Sequence, residues 1–143
     1  MKNIISLCAF FLCAILNAQV QYKEIPSKSL STNRQIKIQL PRNYEQNLDK
    51  KYPIILTLDG DYLFEPVAGN VDFYSYWEDM PEAIVVGVNQ DDSRSEDCNI
   101  SLEDYLPSKT GAQFYDFIEN ELLNFMSENY RTLNFKVIVG HGK

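Results

Sequence analysis

Cross-links are the first thing this sequence lacks. It holds three cysteines, and two of them, Cys8 and Cys13, fall within the first eighteen residues. If that stretch is removed, Cys98 stands alone and no internal disulfide can form, so a packed core must hold the fold. Cys98 sits beside Asp97 with no adjacent cation to activate it, which argues against a nucleophilic thiol. Histidine occurs once, at His141. The acids between Asp91 and Asp97 have no histidine near them and match no calcium-loop spacing, so neither a metal nor another cofactor is expected. Positive charge is in deficit, with 13 Lys and Arg against 20 Asp and Glu and a net charge of −7. An acidic surface repels phosphate backbones and anionic lipid, which excludes nucleic acid and membrane surfaces as partners. Repeats, low-complexity tracts and Gly/Ser linkers are missing too, and the length suits one domain.

Only one long apolar run is present, Ile4 to Leu16, preceded by Lys2 and followed by Asn17-Ala18-Gln19. It is too short for a comfortable membrane span and has the layout of a secretory signal peptide cleaved near Ala18. Leu7 and Leu12 precede Cys8 and Cys13 where a lipoprotein needs a small residue. The expected organisation is a leader over 1–18, one domain over 19–143, and a secreted or periplasmic product without stable membrane insertion.

The remainder reads as an α/β pattern. Alternation over Val20–Ile25 and Arg34–Leu40, with a turn-rich connection between, predicts two half-buried antiparallel strands. Pro53–Leu58, Ala83–Val88 and Phe135–Val139 are continuous apolar runs, the signature of parallel strands covered on both faces. Phe64–Trp77 supplies a helix between the first two. A second helix is predicted over Gly111–Asn129, where Phe114, Phe117, Ile118, Leu122, Phe125 and Met126 form an apolar stripe interrupted only by Glu121. Thr110 with Gln113 fits a capping box at its start. Pro41–Lys51 and Asp91–Asp104 read as polar loops. Hairpin, strand, helix, strand, helix, strand makes a sheet with right-handed crossovers.

In such sheets ligands collect at the carboxyl ends of the strands. After the first buried strand comes Leu58-Asp59-Gly60-Asp61-Tyr62, where Gly60 permits a tight turn and the amides of Asp61 and Tyr62 can face a developing oxyanion. After the second comes Arg94, a candidate to fix a substrate carboxylate or to pair with Asp91, Asp92 or Asp97. After the third comes Gly140-His141-Gly142. Serine hydrolases mount their nucleophile on a strand-to-helix bend of pattern G-x-S-x-G. Gly140 and His141 fill its first two places, but the serine place holds Gly142 and the next Lys143.

Four stretches taken together resemble the N-terminal half of the "Putative esterase" family of α/β hydrolases, which includes esterase D-like, siderophore and feruloyl esterases. They are Leu40–Tyr44; Lys51–Gly60; Ala83–Asn89 with Arg94 and Asp97 behind it; and Phe114 through Thr132, leading to Val137–His141. The resemblance implies the leading portion of an α/β-hydrolase sheet ending at the nucleophile bend, and a small-molecule ester as the substrate of a complete relative. It also implies an oxyanion hole from Gly60, Asp61 or Tyr62 together with the amide of Lys143. Gly140, His141 and Gly142 are then a remnant bend, with no intact catalytic residue, because the acid and base follow the nucleophile in these folds. The expectation is an exported esterase-like chain, truncated and inactive. The alternatives are a non-catalytic binding protein using an acidic cleft around Asp61 and Asp97, or a half-domain whose missing C-terminal half a partner supplies.

Overall fold

The computed structural model describes residues 20–142. The leader, Cys8, Cys13 and Lys143 lie outside them. In chain order the elements are β1 (Val20–Ser27), β2 (Thr32–Gln39), a single 3-10 turn (Tyr44–Gln46), β3 (Tyr52–Thr57), α1 (Phe64–Tyr76), β4 (Ile84–Val88) and α2 (Arg94–Asp97). There follow α3 (Lys109–Asp116), a π-helical segment (Phe117–Leu122), α4 (Leu123–Asn129) and β5 (Thr132–Val139). The strands form one mixed sheet in the order β1-β2-β4-β3-β5. β1 and β2 pair antiparallel, and β2 also runs antiparallel to β4. β3 lies parallel to β4 on one side and to β5 on the other. This is the expected α/β-hydrolase-type arrangement, hairpin first and parallel strands after it.

Opposite faces of the central strands feed two cores. Ile54, Leu56, Ile84, Val86 and Val88 pack with Phe114, Phe117, Leu122 and Met126 of the long helical body. Ile55 and Val85 point the other way, onto Phe64, Ala68 and Val71 of α1. Cover on both faces explains why β3 and β4 read as unbroken apolar runs. It also corrects the reading of β2 as half-buried. Lys37 and Gln39 are buried as well as Ile36 and Ile38, because α1 crosses their face. Lys37 Nζ meets Glu65 Oε1 at 2.6 Å, and Gln39 Nε2 donates to the Ala68 carbonyl at 3.0 Å.

The long helical body starts earlier than its sequence suggests. Its N-cap is Ser108, whose hydroxyl accepts from the Gly111 amide, so Thr110 lies inside the first turn and forms no capping box with Gln113. Midway, the π-helical segment widens the helix by one residue per turn. Leu122, five residues after Phe117, thereby joins it on the sheet, both fully buried. Glu121, which α-helical spacing would place in that stripe, turns sideways to the β1–β2 hairpin. Its Oε1 accepts from the amides of Lys28 and Ser29 and from the Ser29 hydroxyl, at 3.1, 2.9 and 2.9 Å. The carboxylate therefore fastens the hairpin turn to the helix.

Burial alone would push the Glu121 pKa up, but hydrogen bonds from Ser27, Ser29 and Lys28 outweigh it and hold the carboxyl below its ordinary value. A folded-state pKa below the unfolded one contributes stability that is present above the ordinary 4.5 and fades as pH falls through the folded value. Glu121→Gln should cost about 1 kcal/mol at pH 7, after discounting for solvent screening. Chemical denaturation of both proteins at pH 7 and at pH 3 checks this. The difference should shrink at the lower pH.

Candidate functional site

β3, β4 and β5 deliver their carboxyl ends to one edge of the sheet, and three loops meet there. The loop after β3 folds back across β4. Gly60 lies so close that a Cβ on it would sit 2.7 Å from the Val88 nitrogen and 2.8 Å from the Gly87 carbonyl carbon. Its amide donates to the Val88 carbonyl at 2.8 Å. Asp59, before it, is buried and adopts a left-handed backbone with φ +52°. From the loop after β4, Gln90 pins the same segment twice. Its Oε1 accepts from the Asp59 amide at 2.9 Å, and its own amide donates to Asp61 Oδ2 at 2.7 Å. Lys37 Nζ reaches the Asp61 carbonyl at 3.4 Å.

These bonds sort the three oxyanion candidates. The Gly60 N–H is consumed by Val88, and the Tyr62 N–H turns inward to the Asp59 carbonyl at 3.2 Å. Asp61 is the one of the three whose amide has no acceptor among the described residues. It projects from a loop fixed on both sides, which is the preorganisation that stabilises developing negative charge. The fourth candidate, Lys143, lies outside the described residues.

Arg94 pairs with none of its expected partners Asp91, Asp92 and Asp97. Its Nε meets Asp59 Oδ1 at 2.5 Å, and its Nη2 donates to the His141 carbonyl at 2.8 Å. One guanidinium thus ties the β3 loop, α2 and the bend after β5. The hydrogen bond to Asp59 holds its pKa above the usual arginine value. Asp97 is taken instead by Arg34 Nη2 at 3.0 Å, by Gln90 Nε2 at 3.1 Å and by the Ser93 hydroxyl at 2.8 Å. That network anchors α2 to β2. Of the two acids expected in an acidic cleft, Asp97 is buried against Arg34, whereas Asp61 is half-buried, accepts from the Gln90 backbone amide and lines an open hollow with Glu24, Asp91 and Asp92.

At the bend, β5 ends with the Leu58 amide donating to the Val139 carbonyl at 2.8 Å. Gly140, His141 and Gly142 follow, exposed. Gly142 has φ +84°, a conformation open to glycine but strained for the serine that a nucleophile bend carries at this place. A Cβ there would stand 3.4 Å from Arg94 Nη2. An open cleft of about 770 Å³ adjoins the bend, lined among others by Tyr62, Arg94, Cys98, Ile100, Leu102 and His141. Among the described residues no group of three or more His, Cys, Asp or Glu side chains could hold a metal ion. The cleft therefore offers a cation and apolar walls, with Asp61 next in sequence to its lining residue Tyr62, but no hydroxyl at the reacting position. The imidazole of His141 belongs to the bend itself and does not come from a separate loop, as a triad base must.

A family model described as "Putative esterase" matches residues 27–142. The chain belongs to this esterase family. A solved structure from Capnocytophaga ochracea, an uncharacterised protein, is 30% identical with a TM-score of 0.78; the match covers 85% of this chain and 33% of that one. An IroE-like serine hydrolase from Shewanella oneidensis is also 30% identical, with a TM-score of 0.74, 85% of this chain and 42% of that one covered. The enterobactin esterase of Shigella flexneri shares the fold at 18% identity and a TM-score of 0.67, the match covering 87% of this chain and 30% of that one. The chain thus spans less than half the length of each. No curated protein matches it.

Asp59, Gln90 and Arg34, which position this site, are absent from the sequence-derived candidates. Asp59 carried a signal, as the first polar residue after a buried strand at the edge where ligands collect. Gln90 occupies nearly the same place after β4. Arg34 carried none, since its partners lie 55 to 63 positions away.

Gly60→Ala should destabilise the fold by roughly 2 kcal/mol or more, because its Cβ would strike backbone atoms that cannot yield. Gly69→Ala, in α1 with nothing within 4 Å of the added carbon, should stabilise by about 0.5–1 kcal/mol. Thermal denaturation of the two variants should therefore move in opposite directions.

Proposed function

We propose that this chain forms the ester-binding and oxyanion-stabilising part of an exported serine-esterase-type site, and that these residues alone bind an ester without hydrolysing it. The observation that carries the reading is the pairing of an Asp61 amide that has no acceptor among the described residues with a bend whose serine place holds Gly142 at φ +84°. The ligand class is a small-molecule carboxylic ester. Its carbonyl oxygen would lie toward the Asp61 amide, while Arg94 stays cationic beside the bend and draws negative charge to the same end of the cleft. The apolar side chains of Ile100 and Leu102 suit the remainder of the molecule. Export is supported by the n-region, h-region and Ala18 of the first eighteen residues. Family membership and two serine-hydrolase or esterase relatives of the same fold support the reaction class.

Hydrolysis needs a base within hydrogen-bond reach of the nucleophile and held by a third group. Restoring the hydroxyl alone should therefore not suffice. Gly142→Ser is expected to hydrolyse p-nitrophenyl acetate no faster than the parent chain, measured by nitrophenolate release. Turnover in that single variant far above the parent would show that these residues already contain a working base, and would refute the reading.

A further inference from the structure

One stretch of chain, from Arg94 to Leu102, supplies a wall of the cleft beside the bend. Its charged and apolar parts are separated. Arg94 is tied to the His141 carbonyl at the bend, whereas Ile100 and Leu102 follow α2 in a loop that returns to α3. Leu102 is 85% exposed, so a ligand in the cleft meets aliphatic carbon there. The loop is closed at its base. Ile100 pairs with Pro107 as an antiparallel bridge, and the Ser108 amide donates to the Asn99 carbonyl at 2.9 Å. The first turn of α3 abuts that carbonyl, since a Cβ on Gly111 would lie 2.4 Å from it. Farther out, the Ser101 amide donates to the Leu106 carbonyl at 2.8 Å, and the Tyr105 amide to the Ser101 carbonyl at 3.0 Å. Tyr105 has a left-handed backbone, φ +58°, which a non-glycine residue keeps only where its surroundings hold it. Asp104 supplies the hold. Its Oδ1 accepts from the Leu106 amide at 3.1 Å, and its carboxylate also accepts from the Ser101 hydroxyl. These two bonds, the Ser101 one the larger, keep the carboxyl below its ordinary value. Ser101 immediately precedes Leu102, and Leu106 stands in the returning arm. One carboxylate therefore joins the two arms across the tip.

We propose that Asp104 is a positioning residue for ester selection: by closing this loop it holds Ile100 and Leu102 at the cleft, which then takes esters carrying an aliphatic chain in preference to short ones. The inference rests on the ester-binding reading above and adds a substrate class to it. With the carbonyl end drawn toward Arg94, the chain of such an ester runs along the same wall to Leu102. The cleft, at about 770 Å³, has room for it. Every bond that shapes the loop joins residues between Asn99 and Ser108, so the wall is built locally and holds its form whatever lies opposite it. A methylene wholly covered tightens binding about fourfold. Half cover, as on an open wall, gives about twofold each and roughly fifteenfold for four of them.

The test titrates the full chain, expressed with its own N-terminal segment, with ethyl acetate, ethyl hexanoate and hexyl acetate, read from the NMR signals of the Ile and Leu methyl groups. At least one long ester should bind about fifteenfold more tightly than ethyl acetate and shift the Leu102 methyls. The two long esters tell whether the acyl or the alcohol part meets the wall. Asp104→Ala should bring the long esters to within about threefold of ethyl acetate, leaving ethyl acetate binding and the far-UV circular dichroism unchanged. Asp104→Asn keeps an acceptor for the Leu106 amide and should restore most of the preference. Three esters bound equally, a preference that survives Asp104→Ala, or one that Asp104→Asn does not restore would each overturn the inference and leave the ester reading standing. Failure of all three to bind would overturn that reading and this inference with it.

Discussion

A single guanidinium decides the geometry of the functional end. Arg94 stands between the buried carboxylate of Asp59 and the carbonyl of His141, so one side chain from α2 fixes the distance between the β3 loop and the bend after β5. Loops at the ends of parallel strands have no ladder to hold them, and each must be tied by side chains. Here the ties form a chain. Arg94 holds Asp59, Gln90 holds the Asp59 amide and the Asp61 carboxylate, and Asp97 links Gln90 to Arg34 in β2. The network is largely buried, and its value lies less in net stability than in specifying one arrangement of loops. The consequence is that one amide of the β3 loop, that of Asp61, is left without an acceptor among the described residues.

This arrangement separates two requirements of ester hydrolysis that are normally met together. Stabilising negative charge on a carbonyl oxygen needs oriented dipoles, which the β3 loop provides from local structure. Attack needs a hydroxyl with a base and an orienting acid drawn from distant loops. The described residues carry the left-handed backbone of the attack position, φ +84° at Gly142, on a glycine with no side chain to use it. The family's fold and the first part of its site are therefore present among the described residues, with a glycine in the serine place of the bend.

How much of this the sequence disclosed depends on the range of the interaction. β3 and β4 were legible because burial on both faces leaves a continuous apolar run, and the hairpin because β1 alternates. The Gly140–Gly142 bend was legible because a buried strand ran straight into it. What could not be read were pairings set by the tertiary fold. Arg94 has four acids within three positions, yet it binds Asp59, 35 positions away, because sheet topology brings their strand ends together. Lys37 looked like a solvated position until α1 covered it. Glu121 looked like a blemish on an apolar stripe, and only the π-helical turn gives it a hairpin to hold. β5 was read as beginning at Phe135 because Thr132 to Asn134 lack an apolar run; pairing of Thr132 with Tyr52 extends it.

The central claim is that the loop after β3 leaves the Asp61 amide, and not its neighbours, free of an acceptor among the described residues. Residue-resolved amide hydrogen exchange measures this directly. The account predicts slow exchange at Leu58 and Gly60, whose N–H groups are bonded to Val139 and Val88, beside fast exchange at Asp61. A protected Asp61 amide, or a Gly60 amide exchanging as fast as Asp61, would contradict it.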